Sequence, residues 1–241
     1  MNILIITGGS SGIGKAIAQK YTSENYTVIS ISRSKALTVN YQQIIADLSS
    51  ISNTIEAIHS AFDNLNLETI SSITFVNNAG SLGEVNTLGN LDSKKIQDII
   101  QLNTTTPLVL ANEFIRFTKN LTCKKQIINI SSGAAVNPYQ GWSIYCASKA
   151  AIEMMTKTIA TEQNELSNGV KCIAIKPGVV DTNMQIQIRN TPQSDFKDVK
   201  RFVELKENNE LYSPEFVANR IYQIDAQNQL ENGAIIDIRK F

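Results

Sequence analysis

Short apolar runs alternate along the chain with longer stretches whose apolar positions recur at helical spacing. Ile3–Thr7, Thr27–Ser32, Ile73–Val76, Gln126–Ser131 and Val170–Ile175 read as strands buried on both faces. Ile44–Ala46 and Ala234–Ile238 read as shorter ones. Between them the pattern predicts helices over Lys15–Ser23, Ile51–Asn64, Ser93–Thr118, Ser143–Glu165 and Ser213–Ile224. Pro107 is expected to kink or divide the third of these. Ser213 and Pro214 are expected to cap and open the last. Strands alternating with helices predict an α/β fold, a doubly wound parallel sheet with helices on both faces. The 241 residues carry no repeat or linker, so one domain over 1–241 is expected. Residues 184–212 depart from the pattern: they are polar, mixed in charge and interrupted by Pro192. Such a long segment between core elements predicts a lid-like insertion.

The first strand runs straight into TGGSSGIG, Thr7 to Gly14, and from there into a helix. Strand, glycine turn and helix together make the sheet Rossmann-type. Gly8 permits the tight turn, Gly12 lets backbone approach a pyrophosphate, and Gly14 lets helix close on strand. The anion would rest on the free amides of the helix start. The second strand ends in Ser32-Arg33, where an NAD site carries an acid. A guanidinium suits a 2′-phosphate that an acid would repel, so NADP(H) is the expected cofactor. The third strand closes on Asp47-Leu48, and the fourth on Asn77-Asn78-Ala79-Gly80. There Gly80 lets backbone come near a ligand, and the asparagines can tie strand ends together. Asn103 is a polar residue on a mostly buried stretch and needs a hydrogen-bonding partner.

Tyr145 and Lys149 stand one turn apart on the same face of a predicted helix, and Ser132 lies just past a buried strand. Free tyrosine titrates near ~10. A lysine cation close by is expected to lower that value towards the range useful for proton transfer. The serine hydroxyl can hold the carbonyl oxygen on which charge develops. Lysine plus arginine and aspartate plus glutamate both number 22, giving no formal net charge. No basic stripe or basic amphipathic segment points to nucleic acid or a membrane surface. No apolar run is long enough to span a bilayer. The chain opens on Ile3–Ile6 without a leader pattern, so a cytoplasmic protein is expected. Cys123, Cys146 and Cys172 are odd in number, lack C-x-x-C spacing and read as reduced thiols. His59 is the only histidine and lies beside the Ile51/Ile55/Ile58/Phe62 stripe, so it reads as structural and no metal site is expected.

With TGGSSGIG, NNAG, Ser132/Tyr145/Lys149 and PGVVDT in order along its whole length, the chain resembles the short-chain dehydrogenase/reductase family. Asn103 stands where that family has a fourth catalytic residue. The resemblance implies that Tyr145 donates a proton, Ser132 orients the carbonyl oxygen, Lys149 holds the nicotinamide ribose, and Asn103 supports a water relay. It also implies a cofactor lined by Gly8, Ser10, Gly12, Ile13 and Gly14, with Arg33 at the 2′-phosphate and Asp47-Leu48 at the adenine. Asn78, Ala79 and Gly80 would flank the adenosine ribose, and Pro177, Gly178, Val180 and Thr182 the nicotinamide. P-x-x-G-W-x-x-Y-C-A-x-K and DTNMQ resemble the family's pterin- and diketone-reducing branch. This implies NADPH-dependent reduction of one carbonyl of a bulky aromatic α-diketone, with Ser132, Tyr139, Trp142, Cys146 and Met184 at the substrate. The alternatives are a pterin reductase, with Asp237 as a carboxylate anchor, or a general ketone or quinone reductase. A non-catalytic NADPH sensor fits least, because both Tyr145 and Lys149 are present. Family likeness further implies a homodimer or homotetramer through the Ser93–Thr118 and Ser143–Glu165 helices.

Overall fold

The computed structural model describes residues 1–240. Seven strands form one sheet: β1 (Asn2–Thr7), β2 (Thr27–Ser32), β3 (Gln42–Ile45), β4 (Ser72–Asn77), β5 (Lys124–Ile130), β6 (Lys171–Lys176) and β7 (Ile235–Asp237). Their order is β3-β2-β1-β4-β5-β6-β7, and every neighbouring pair is parallel. Successive side chains of a strand face opposite sides, and this divides the core in two. Ile3 and Ile5 of β1, Phe75 of β4 and Ile127 of β5 pack on one face; Leu4, Ile6, Val76 and Ile128 pack on the other. Helices α2 (Ile51–Asp63), α4 (Thr106–Thr118) and α5 (Ser143–Asn164) cover the first face. Helices α1 (Gly12–Ser23) and α8 (Pro214–Gln227) cover the second. The fold is therefore a doubly wound Rossmann-type sheet. Its strand order reverses between β1 and β4, which opens a crevice at their carboxyl ends.

Local signals act as expected at several ends. Ser213 accepts a hydrogen bond from the Phe216 amide, with Pro214 at the first helical position of α8. Asn228 closes the same helix in the left-handed conformation. The Asn77 side chain donates to Asn129 at 2.9 Å, and Asn78 donates to the Thr7 carbonyl at 2.9 Å, so the strand ends are tied as the sequence suggests. The imidazole of His59 meets Glu113 at 3.1 Å between α2 and α4. All three cysteines are free thiols. Among the described residues no helix is long and apolar enough to cross a membrane, and no side-chain cluster could hold a metal ion.

Two stretches carry detail that the residue pattern does not give. The predicted Ser93–Thr118 helix is α3 (Ser93–Ile100), a π turn over Gln101–Thr105, and then α4. Pro107 sits in the first turn of α4 and lacks the N–H that an α-helix would return to the Asn103 carbonyl, so the ladder widens just before it. The polar stretch after Met184 is also more ordered than its composition suggests. It forms α6 (Asn183–Arg189) and α7 (Val199–Glu207) and carries Phe196 and Phe202 into a third core cluster with Trp142 and Tyr145. Two anchors that far apart give no periodic signal.

Candidate active site

A cleft of about 1190 Å³ follows the carboxyl ends of the strands. The glycine turn forms one wall. Gly8 and Gly12 have φ of +71° and +51°, and a Cβ on Gly14 would stand 2.2 Å from the Gly8 carbonyl oxygen, so only glycine fits there. Tyr41 pins the turn by donating to the Gly9 carbonyl at 2.8 Å. Ser11, which precedes α1, makes no side-chain cap, and the first turn holds no acid. The opening amides of α1 are thus left for an anion, the arrangement a pyrophosphate requires. Arg33 is exposed on the cleft beyond β2 and, among the described residues, makes no salt bridge. The Asp47 carboxyl is held below its ordinary range by hydrogen bonds from Ser49, assisted by Arg33 nearby. Thr7 Oγ1 accepts from the amides of Asn78 and Ala79, which places the NNAG turn against the glycine turn. The Pro177–Thr182 loop is tied to Tyr212 through backbone bonds and brings the Thr182 methyl over Gly12. Ser10, Ile13, Leu48, Gly80, Gly178 and Val180 line the same cleft. A dinucleotide fits this cradle.

The catalytic candidates meet midway along the cleft. Tyr145 and Lys149 share the inner face of α5, and Ser132 follows β5. Lys149 Nζ donates to the Ile130 carbonyl at 2.8 Å and lies 5.7 Å from the centre of the Tyr145 ring. Burial pushes the Tyr145 phenol up to about 12, with the Ser132 hydroxyl pulling the other way. Burial holds Lys149 down at about 8. This corrects the expectation that the lysine lowers the tyrosine: in this geometry desolvation dominates both groups. Asn103 is buried in the π turn. Its side chain accepts from the Ser81 amide at 2.9 Å and donates to the Ser81 carbonyl at 2.8 Å and to Ser148 at 3.2 Å. It thereby fastens the loop after β4 to α5 and does not itself line the cleft.

The far end of the cleft is aromatic. Trp142 stacks on Phe196 with ring centres 4.6 Å apart and meets Tyr145 edge-on at 5.7 Å. Tyr139 and Phe202 lie 4.8 and 5.5 Å from Trp142. Tyr139, Trp142 and Met184 line this end; Cys146 does not. One residue on from Tyr145, Cys146 has turned about 100° round the helix and faces a shallow hollow beside Val136 and Pro138. Asp237 also lies off the cleft, its carboxylate locked to Arg239. The sequence reading missed Phe196 and Phe202, along with a buried group behind the catalytic residues. Glu153, one turn beyond Lys149, takes the Ser131 hydroxyl at 2.8 Å and Lys176 at 3.1 Å. It joins α5 to the ends of β5 and β6. The continuing i, i+4 stripe of Tyr145, Lys149 and Glu153 was the available signal.

Comparison with known proteins agrees with this geometry. A benzil reductase ((S)-benzoin forming) of Bacillus cereus is 39% identical over 247 aligned positions, covering 99% of this chain and 99% of that protein. The sepiapterin reductase of Bos taurus is 28% identical over 98% of this chain and 93% of its own length. Among solved structures, a short chain dehydrogenase/reductase from Saccharomyces cerevisiae superposes with a TM-score of 0.86 at 26% identity, covering 99% of this chain and 96% of that one. The family model described as short chain dehydrogenase matches residues 2–193, from the first strand through α6. The chain is an oxidoreductase of the short-chain dehydrogenase family, which works with a nicotinamide cofactor.

Proposed function

We propose that this protein is an NADPH-dependent carbonyl reductase that converts one carbonyl of a bulky aromatic α-diketone to the alcohol, as in benzil to (S)-benzoin. The observation that carries the reading is the set of rings from Tyr139, Trp142 and Phe202 that line the cleft near Tyr145, with Phe196 buried behind Trp142 as backing. Flat apolar walls of this kind suit aryl groups. The cofactor supplies the hydride. The chain supplies the proton and the electrostatics. With its phenol at about 12, Tyr145 stays protonated at neutral pH and donates to the carbonyl oxygen as charge develops there. Ser132 donates a hydrogen bond to the same oxygen. Lys149 steadies the site with positive charge, and Asn103, whose carbonyl has lost its helical donor to Pro107, supports a water relay to it. Arg33 selects the 2′-phosphate of NADPH. The pairing of Asp237 with Arg239 argues against a pterin anchor at that position. The reduced cysteines suit the cytoplasm, and the outward apolar residues of α4 and α5 suit a homodimer or homotetramer.

Purified protein should oxidise NADPH in the presence of benzil or 1-phenyl-1,2-propanedione, much faster than it oxidises NADH, and give one benzoin enantiomer by chiral chromatography. No NADPH oxidation with either diketone would end the substrate assignment. Equal use of NADH would end the role given to Arg33.

A further inference from the structure

Two polar groups at the aromatic end of the cleft are buried and unpaired. Gln185, in the first turn of α6, is 6% exposed and its Oε1 has no hydrogen bond. The indole N–H of Trp142, also 6% exposed, has none either. Buried polar atoms in folded proteins are nearly always satisfied. Both residues line the cleft. Met184 and Ile188, on either side of Gln185, pack in the cluster that holds Trp142 and Tyr145. Neither side chain takes part in the proton transfer described above, so both are free to contact a part of the substrate that does not react.

We propose that Gln185 is a specificity-determining residue whose amide N–H donates to the second, non-reacting carbonyl oxygen of a vicinal dicarbonyl. The proposal rests on the reductase reading above. The polarity of the amide follows from its neighbour one turn along α6. Arg189 has a guanidinium nitrogen that is also buried without a partner. Residues at i and i+4 of a helix are within reach of each other. A bond from Arg189 to Oε1 would satisfy both groups and leave the NH2 as the donor offered to the cleft. A vicinal diketone, or the α-hydroxy ketone formed from it, covers that donor. A simple ketone leaves it bare, and a site with an uncovered polar group discriminates against such a ligand.

The test compares wild type with Gln185→Met, which keeps the bulk and removes the donor, and Gln185→Glu, which keeps the shape and offers a carboxylate. The substrates are benzil and 2,2,2-trifluoroacetophenone, an activated ketone with no second carbonyl, each with saturating NADPH. Melting temperatures establish that the variants are folded. Both variants are expected to lower kcat/KM for benzil about tenfold, the scale of one hydrogen bond, and to leave trifluoroacetophenone within about twofold. A parallel fall on both substrates would assign Gln185 a structural role and overturn the proposal. So would an unchanged preference in both variants. A wild-type enzyme inactive on benzil would overturn the diketone assignment and this inference together, whereas an active wild type with an unmoved preference would overturn this inference alone.

Discussion

Lys149 shows what the site costs its own fold. Burial lowers its ammonium from 10.5 to about 8, a penalty on the folded state of roughly 3 kcal/mol at neutral pH. The sign follows from proton counting. Between about 8 and 10.5 the unfolded chain binds a proton that the native chain does not, so this group makes stability rise with pH through that window. Below it both states are charged and the penalty is complete. Lys149→Met removes the charge but leaves the Ile130 carbonyl without its donor, which returns ~1–2 kcal/mol of the gain. The variant is therefore expected to be inactive yet more stable than wild type by about 1–2 kcal/mol at pH 7. That advantage should shrink or reverse by pH 10.5. Urea unfolding at the two pH values measures it, and a variant less stable than wild type at pH 7 would contradict the burial argument. The same lowered value predicts that kcat/KM for reduction falls above about 8, as free enzyme loses the Lys149 charge.

Each strand end carries one part of the site, and the glycine turn is where sequence and geometry agree most closely. A side chain at position 14 would stand 2.2 Å from the Gly8 backbone carbonyl oxygen and 2.4 Å from the Asn78 side-chain nitrogen. Backbone cannot yield as a flexible side chain does, so Gly14→Ala should cost about 1–3 kcal/mol. Tm should fall by several degrees, with weakened NADPH binding by fluorescence titration; wild-type values in both would show the turn to be looser than described. This motif was legible because its spacing is a backbone requirement. Tyr145 and Lys149 were legible because helix periodicity places them on one face. The π turn was half legible, since Pro107 announces a break without saying whether the ladder kinks or widens. Phe196 and Phe202 were not legible, because separated anchors in a polar stretch leave no repeat to detect. Cys146 was misplaced for a plainer reason: adjacency in sequence is not adjacency on a helix. The ionisation order of Tyr145 and Lys149 was also out of reach, since desolvation depends on how deeply a packed chain buries them.

At the scale of the whole molecule, α5 is asked to do two things. Its inner face holds Tyr145, Lys149 and Glu153, while its outer face leaves Met154 63% exposed; α4, packed on the same side of the sheet, leaves Leu108 50% exposed. Large apolar side chains on neighbouring helices are the usual material of an interface between copies of a chain. A twofold arrangement would bury the patch against itself, each protomer presenting the same two helices. Sedimentation equilibrium should accordingly find a dimer or tetramer, and melting temperature should rise with protein concentration. Replacing both residues, as Leu108→Lys with Met154→Lys, puts like charges face to face and should yield monomers whose melting no longer depends on concentration. Because the outer face of α5 would then lose its support, the monomer should also show a lower kcat. A wild-type chain that sediments as a monomer would remove the interface, and a fully active double variant would show that α5 holds its catalytic face without help from a partner.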